Sequence, residues 1–401
     1  MYDLHLSEEQ LAIRDTVCDF VTTEIAPVAR LPERLEPFDP PLPLELVDRG
    51  AALGLRTLAL SEAAGGADAD TLTCCLVAEE LGVGDVDVAS VLMETAALGG
   101  TVFGRLMDDA QCARFLPALL DDSGYHLALA LGESDTETAL GVNYHRPREG
   151  AAPFVTTAMP TADGDWVING AKSRIANAPL AKLLVVVAAT EATETGTALL
   201  LVPSDAPGLS VQEIERDGGW YHGSCGDVAF SDCRVPAENL LTADDAGLVH
   251  GLAGSPVANA INLGVARAAF EAALDYAKLR VQGSRPIVEH QAIGEKLAGI
   301  AVSLETARAI IWQAAWAADH PDAVTDGSLA DLPHATIAQV ATGEMLHRAA
   351  QDAAECFGAM GVMRDMPMQK YIHDTRLALH SGNGANDAKL GIAEIIAGYS
   401  S

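Results

Sequence analysis

Basic side chains are scarce in this sequence, and no lysine precedes Lys172. The 25 Lys and Arg residues face 56 Asp and Glu residues, which gives a formal net charge of −31 at pH 7. A surface of this charge repels nucleic acid and anionic lipid, because both are densely negative. We therefore expect neither a nucleic-acid partner nor a membrane partner, and we interpret the excess of acid as a source of solubility.

Cysteine motifs are also missing. The seven cysteines are odd in number and scattered, with neither CxxC spacing nor histidines at the intervals of a metal site. This pattern is typical of reduced thiols, and it predicts no metal centre. A strand followed by GxGxxG is absent as well, which argues against a Rossmann dinucleotide site.

Targeting segments are a further absence. The sequence does not start with basic residues followed by an apolar run, and we expect no stretch that is apolar for long enough to span a bilayer. The sequence therefore predicts a cytoplasmic protein without an export signal or a membrane anchor.

The periodicity of the apolar residues divides the 401 residues into three parts. Ser7, with Gln10 three residues later, is a candidate helix N-cap, and helical spacing follows it to about residue 120. Strand-like runs come next, and helical spacing returns after about residue 246. We predict an α+β fold with an N-terminal helical domain (1–122), a central β-barrel-like domain (123–241) and a C-terminal four-helix bundle (242–401). Because the junctions lack a linker composition, we expect one compact body.

Four apolar runs of strand length mark the central part, each bounded by turn residues. They are residues 127–131, 165–169, 183–187 and 198–202. A further segment, residues 227–241, reads DVAFSDCRVPAENLL and closes this part.

Several motifs resemble those of the acyl-CoA dehydrogenase family. Residues 163–177 read DGDWVINGAKSRIAN, which is similar to a family strand pair that reaches the flavin. Residues 227–241 resemble the segment that closes the family's β-domain. Residues 280–291 (RVQGSRPIVEHQ), 358–361 (GAMG) and 371–376 (YIHDTR) are similar to the family's C-terminal bundle. The resemblance covers essentially the whole chain, with the motifs in the family's order.

The resemblance implies a flavoprotein with FAD at a subunit interface, usually in a tetramer built from dimers. In such enzymes a carboxylate removes the proton beside a thioester carbonyl while the flavin takes the β-hydride. The expected substrate is an acyl thioester, carried by CoA or by a carrier protein. The expected partner is a second copy of this chain or a related dehydrogenase-like chain.

The carboxylate base is missing from both positions where the family carries it. The triplet His373-Asp374-Thr375 matches a family motif, and counting from it places Gly382 at the first base position. Counting back from Gly264 places Gly254 at the second. Glycine cannot accept a proton. His380 is a weak substitute candidate, because an unperturbed imidazole titrates near pH 6.5. His250 and Asp387 are weaker ones.

The residues matched to flavin contacts fall into two sets. The first set would face the chain's own flavin; it comprises Leu131, Gly132, Glu133, Arg174 and Ala176. In this set Arg174 and Ala176 replace the family's Trp and Thr. The second set would face the flavin of a neighbouring subunit; it comprises Arg280, Gln291, Gly358 and Gly361. The neighbour-facing set matches the family pattern better than the first set does, although Gly283 and Glu355 depart from that pattern.

These departures leave several functions open. The chain is either a subunit without a base in a heteromeric dehydrogenase, or an enzyme of other chemistry on the same fold. The second class includes flavin monooxygenases and redox-neutral enzymes that act on activated acyl groups. An ordinary dehydrogenase with an unforeseen base and a non-catalytic interaction protein are the remaining alternatives.

Overall fold

The computed structural model describes residues 5–35, 41–133, 154–193, 196–215, 221–242, 255–380 and 384–398. Helices come first, strands follow, and helices return, in the order that the sequence predicts. Gly254, His250 and Gly382 lie outside the described residues, as does the side chain of Asp387.

Five α-helices of nine or more residues form the N-terminal part. They are α1 (Glu8–Phe20), α2 (Leu44–Ala52), α3 (Thr71–Gly84), α4 (Val86–Thr101) and α5 (Asp109–Asp121). Single helical turns (Ala26–Ala29, Pro32–Leu35) and π-helical segments (Val21–Ile25, Val102–Leu106) connect them. The predicted N-cap of α1 is confirmed: Ser7 Oγ accepts from Gln10 N at 3.1 Å, and Gln10 Oε1 accepts from Ser7 N at 3.0 Å.

Helix α4 is the most apolar helix of this part. The stretch Val86–Leu106 is long and apolar enough to cross a membrane by length and composition, so the expectation of no such stretch was wrong. However, 72% of its apolar window is buried inside the protein. Apolarity on nearly all sides is what a core helix of a large protein requires, and α4 is packed as one.

Seven strands form one mixed sheet in the middle of the chain. They are β1 (His126–Ala130), β2 (Thr157–Pro160), β3 (Trp166–Ala176), β4 (Ala181–Ala189), β5 (Thr197–Pro203), β6 (Leu209–Glu213) and β7 (Cys225–Val235). Their order is β1-β4-β2-β3-β7-β6, with β5 paired to β4. The sequence missed β2 and β6, which are short and mostly exposed and therefore lack an apolar run.

The C-terminal part consists of helices around one short hairpin. The helices are α6 (Pro256–Leu279), α7 (Gln291–Asp319), α8 (His334–Cys356), α9 (Met368–Leu377) and α10 (Gly384–Ile396), with a single turn at Asp322–Thr325. Strands β8 (Val281–Gln282) and β9 (Arg285–Pro286) form the hairpin. Helices α6, α7 and α8 pack against one another, and α9 and α10 pack against α8.

Helix α3 of the first part packs directly on α6 of the third. A side chain at Gly264 would place its Cβ 2.1 Å from the backbone oxygen of Glu79, and one at Gly82 would lie 2.3 Å from that of Ile261. Glycine at both crossing points lets the two backbones touch. A single apolar core therefore runs through both helical parts. A separate apolar cluster packs Leu98 and Leu119 of the helices against strands β1, β4 and β5.

Candidate functional site

A buried ion pair supports the residues that the sequence assigns to the flavin. Lys172 Nζ donates to Glu133 Oε1 at 2.6 Å and to the backbone oxygen of Leu131 at 3.1 Å. The exposed fraction of the side chain is 0% for Lys172 and 3% for Glu133. Lys172 lies on β3 and Glu133 follows β1, so this contact joins two strands that are not neighbours in the sheet.

The carboxylate of Glu133 accepts two further hydrogen bonds. The backbone N–H groups of Val155 and Thr156 donate to it at 2.6 and 3.1 Å. Burial raises the pKa of Glu133, but the hydrogen bonds from Lys172 and Thr156 outweigh that effect, and the pKa lies below its ordinary value. Glu133 is therefore ionised at neutral pH, and its hydrogen bonds from Lys172, Val155 and Thr156 make it a structural support.

A backbone hydrogen bond also joins the segment after β1 to strand β3. Ser173 N donates to the oxygen of Gly132 at 2.9 Å. A Cβ at Gly132 would lie 3.2 Å from the oxygen of Ser173, so glycine allows this close approach. Residues 131–133 and 172–176 thus lie side by side, and we call them the β1–β3 frame.

The exposed part of the β1–β3 frame carries Gly132 and Arg174. Arg174 has a left-handed backbone, with φ of 56°, and its N–H donates to Asp227 Oδ1 at 2.9 Å. This conformation is strained for a residue with a side chain. It bulges β3 between Lys172 and Ile175, where the pairing with β7 shifts. The side chain of Arg174 is exposed at this bulge.

The end of the frame is tied to helix α4. Ala176 pairs with Cys225 of β7, and the next residue, Asn177, is 1% exposed. Asn177 Nδ2 donates to the backbone oxygen of Val91 at 3.1 Å and lies 3.5 Å from Thr95 Oγ1. The turn of α4 that contains residues 91–95 therefore lies against the frame.

That turn carries a residue that the sequence analysis missed. The side chain of Glu94 is exposed although residues 86–93 are all buried. Desolvation by the surrounding protein nevertheless raises the pKa of the Glu94 carboxyl to about 7. The available signal was a lone acid inside an apolar helical run, VLMETAAL.

The neighbour-facing set lies at one end of the C-terminal bundle. Arg280 follows the last residue of α6, and Gln291 is the first residue of α7; both are exposed. Gly358 and Gly361 follow α8. Tyr276 near the end of α6 stacks on Phe357 at the end of α8, with ring centroids 4.2 Å apart. These helix ends are therefore fixed beside one another.

Gly358 and Gly361 are glycine for two different structural reasons. Gly358 has φ of 57°, the left-handed conformation that ends a helix. A Cβ at Gly361 would lie 2.5 Å from the oxygen of Ala354. Glu355, which replaces a family glutamine, pairs with Lys296 at 2.6 Å. That carboxylate therefore has a partner within the bundle.

The weak base candidate His380 lies at the surface of the C-terminal part. It ends the short 3-10 segment Ala378–His380, and its side chain is exposed. The two positions matched to the family base, Gly254 and Gly382, fall outside the described residues. Among the described residues, the β1–β3 frame therefore lies against α4, and the residues of the neighbour-facing set form a separate group.

Family models match almost the entire chain. The acyl-CoA dehydrogenase N-terminal domain matches residues 7–123, the middle domain residues 145–233 and the C-terminal domain residues 252–394. The chain belongs to the acyl-CoA dehydrogenase family. Benzylmalonyl-CoA dehydrogenase of Aromatoleum aromaticum is 32% identical over 98% of this chain and 99% of its own length. An acyl-CoA dehydrogenase of Bacillus subtilis is 30% identical over 93% of this chain and 94% of its own.

Solved structures agree on the fold. Butyryl-CoA dehydrogenase of Megasphaera elsdenii superposes with a TM-score of 0.81 at 24% identity, over 99% of this chain and 100% of that one. A glutaryl-coenzyme A dehydrogenase with bound glutaryl-CoA gives 0.82 at 25% identity, over 100% and 98%. The predicted fold class and family are confirmed, and FAD as the cofactor is confirmed at the level of the family.

The exposed backbone of the β1–β3 frame is compatible with one face of a flavin. Among the described residues, a Cβ at Gly132 would meet only the oxygen of Ser173, and Arg174 is exposed on the adjoining segment of β3. A guanidinium can donate paired hydrogen bonds to the polar edge of a flavin ring. Among the described residues, this frame and Arg280 are the groups that would hold FAD.

Proposed function

We propose that this chain is an FAD-dependent oxidoreductase that acts on an acyl thioester within an oligomer. The observation that carries the proposal is the buried Lys172–Glu133 pair at 2.6 Å beneath an exposed glycine and arginine. Burying two charges is costly unless every polar atom has a partner, as is the case for this carboxylate. This pair therefore holds the frame in a fixed geometry, as a ligand-binding site requires.

The neighbour-facing set supports the oligomer. Arg280 and Gln291 are exposed at a bundle end whose helices are locked by the Tyr276–Phe357 stack. In a chain with a net charge of −31, an exposed arginine at this end is a suitable partner for the phosphates of a dinucleotide. We infer that this end reaches the FAD of a second subunit.

The reaction class follows from what FAD supplies when it is bound, which is acceptance of two electrons. The residues of this chain would orient the acyl thioester against the frame and keep water away from it. A CoA thioester is the expected substrate, since the relatives named above are dehydrogenases of CoA thioesters. A carrier-protein thioester presents the same reacting atoms.

A heteromer is the second candidate. Its support is the contrast between the two sets: the frame has lost the family's aromatic and hydroxyl side chains, whereas Arg280, Gln291, Gly358 and Gly361 match the family. In that case the chain would lend its bundle end to a flavin held by a related dehydrogenase-like chain. Flavin monooxygenase chemistry and redox-neutral chemistry use the same frame and differ in the fate of the electrons.

The test is the FAD content per chain of the purified protein, measured from its visible spectrum together with the mass of the oligomer. One FAD per chain in a homo-oligomer, with bleaching under anaerobic addition of butyryl-, hexanoyl- or octanoyl-CoA, is the expected result. No FAD until a second dehydrogenase-like chain is added would favour the heteromer. FAD that is bound but not reduced by any thioester would refute the dehydrogenase chemistry.

A further inference from the structure

The hairpin after α6 carries two arginines on one face. Arg280 is extended, and two residues later Gln282 of β8 pairs directly with Arg285 of β9. Side chains two residues apart on an extended chain share a face, and so do side chains directly opposite each other in an antiparallel pair. Arg280, Gln282 and Arg285 therefore present their side chains on the same face, and all three residues are exposed.

The turn of this hairpin packs against a histidine. Its two central residues, Gly283 and Ser284, have φ of 60° and 68°, as in the tight turns that match the twist of a hairpin. A Cβ at Gly283 would lie 3.4 Å from Cε1 of His290, so the imidazole lies directly against the turn. The imidazole is half-buried there, whereas the two turn residues are exposed.

His290 holds the guanidinium of Arg285. Nε2 of His290 lies 3.0 Å from the backbone oxygen of Gln282, which can only accept, so Nε2 carries the proton. Nδ1 is then the acceptor for Nη2 of Arg285, at 3.3 Å. The backbone N–H of Ile287 donates to the oxygen of Arg280 at 2.8 Å and closes the base of the hairpin. A chain of hydrogen bonds within the hairpin thus orients Arg285.

Neither arginine of this face is neutralised. Lys278, near the end of α6, pairs with Asp275 at 3.7 Å. Among the described residues, by contrast, Arg280 and Arg285 have no carboxylate partner, although the chain has 56 acidic residues. Two like charges on one face repel each other, and an anion with two charged groups removes that repulsion. Guanidinium groups bind phosphate oxygens by paired hydrogen bonds, so this face suits a diphosphate.

We propose that Arg285, positioned by His290, joins Arg280 in binding a diphosphate group. The inference rests on the function proposed above, because FAD and a CoA thioester each carry a diphosphate. It deepens that function by naming a second cation and the residue that orients it. The diphosphate belongs either to the FAD of a second subunit or to the CoA of the substrate, and the two sources respond differently to the same variants.

The first arm of the experiment measures FAD affinity. Full-length wild type, R285M, R285K and the control K278M are compared for FAD retained after gel filtration and for the dissociation constant on reconstitution. K278M removes the same charge from a residue just before the hairpin. If the diphosphate is that of FAD, R285M should weaken binding by about 10-fold or more and R285K by less. K278M should stay within about twofold of wild type.

The second arm measures KM at saturating FAD for an acyl-CoA and for the same acyl-pantetheine, which lacks the diphosphate. The acyl chain is the one of butyryl, hexanoyl and octanoyl that reduces the flavin fastest. If the diphosphate is that of CoA, R285M should raise the KM of the acyl-CoA by about 10-fold. The KM of the acyl-pantetheine and the affinity for FAD should then be unchanged. A change in FAD affinity alone assigns the group to FAD.

Variants of His290 test whether it acts through Arg285. H290Q keeps a donor and an acceptor and should stay within about twofold of wild type, whereas H290A should approach R285M. The double variant R285M/H290A should be no weaker than R285M, because the removal of Arg285 already removes what His290 holds. A merely structural role of His290 would instead add its loss to that of R285M, and glutamine would not rescue it.

The outcomes separate three statements. Wild-type values of R285M in both arms would overturn the inference, and so would an equal loss in K278M, because the effect would then be one of general charge. Wild-type affinity in H290A, or additive losses in the double variant, would overturn the positioning of Arg285 by His290. Absence of flavin reduction in wild type with every thioester would refute the proposed function, while FAD affinity would still decide the inference.

Discussion

Lys172 and Glu133 form a salt bridge of 2.6 Å in which neither side chain reaches solvent. The ammonium also lies 4.2 Å from the centroid of the Phe154 ring. The two residues are 39 positions apart, and their contact fixes the end of β1 beside β3. This pair fixes the conformation of the exposed backbone at Gly132 and Arg174.

Replacing Lys172 by Met should destabilise the protein by about 3–5 kcal/mol, because it leaves a buried carboxylate without its cation. The measurement is the free energy of unfolding from chemical denaturation, with FAD content on the same sample. The double variant K172M/E133L should recover much of the loss, since it removes both charges. A K172M variant as stable as wild type would contradict the buried pair.

The same pair predicts a response to acid. The pKa of Glu133 is lower in the folded protein than in the unfolded chain, so its contribution to stability is present above the ordinary glutamate pKa and is lost as the pH falls through the folded value. Wild type should therefore lose stability below about pH 4.5 more steeply than K172M/E133L. Thermal melts between pH 3 and 7 measure the difference. Parallel curves would speak against an ionised Glu133.

Glu94 predicts a response of opposite sign. Its pKa is raised to about 7 in the folded protein, so the unfolded chain ionises first. Stability is full below the ordinary glutamate pKa and declines as the pH rises toward 7. The variant E94Q has no such decline. Its melting temperature relative to wild type should therefore be higher at pH 8 than at pH 5, in the apoprotein as well. A pH-independent difference would place Glu94 in open solvent.

The contact between α3 and α6 predicts a sharp distinction between two glycines. Gly264→Ala should destabilise the protein by about 3 kcal/mol, because the new Cβ meets the backbone oxygen of Glu79 at 2.1 Å and the helices must separate. Gly299→Ala in α7 is the matched control. Nothing lies within 4 Å of its Cβ, and alanine in a helix interior should stabilise by about 0.5–1 kcal/mol. Equal effects in denaturation experiments would mean that the crossing is wider.

Much of the fold could be predicted because its signals are local. Ser7 and Gln10 form the capping box that their spacing predicts, and the order of helical, strand-rich and helical parts is the predicted one. Strands β2 and β6 were missed because they lie at exposed places and bury few side chains. Local pattern carries no information about strands whose formation depends on their neighbours.

The candidate site was harder to predict, because it depends on contacts between distant residues. Resemblance identified the positions of Glu133 and Arg174, but not the ion pair with Lys172 or the left-handed bulge. Glu94 was missed because helical periodicity treats a single acid as one polar position among apolar ones. The packing of its helix against the end of β3 depends on the Asn177–Val91 contact, which joins residues 86 positions apart.

Arg280 provides the last prediction, which concerns the assembly. It is exposed at the end of α6, where a neighbouring subunit's phosphates would find a cation in an otherwise acidic protein. Arg280→Met should lower the FAD retained after gel filtration by about 10-fold or more in affinity, since charge-assisted bonds to phosphate contribute about 1.5–3 kcal/mol. Arg234→Met is the control: Arg234 is likewise exposed, pairs with Asp163 and Asp165 and lies at the far end of β7.

The comparison of these two arginine variants decides which groups hold the cofactor. Loss of FAD in R280M alone, with the oligomer mass unchanged, means that the bundle end reaches the flavin across the interface. Loss of both FAD and oligomer means that Arg280 acts through assembly, and FAD added in excess should then restore the oligomer. Equal retention in R280M and R234M would contradict the neighbour-facing role and leave the β1–β3 frame as the sole support of the flavin among the described residues.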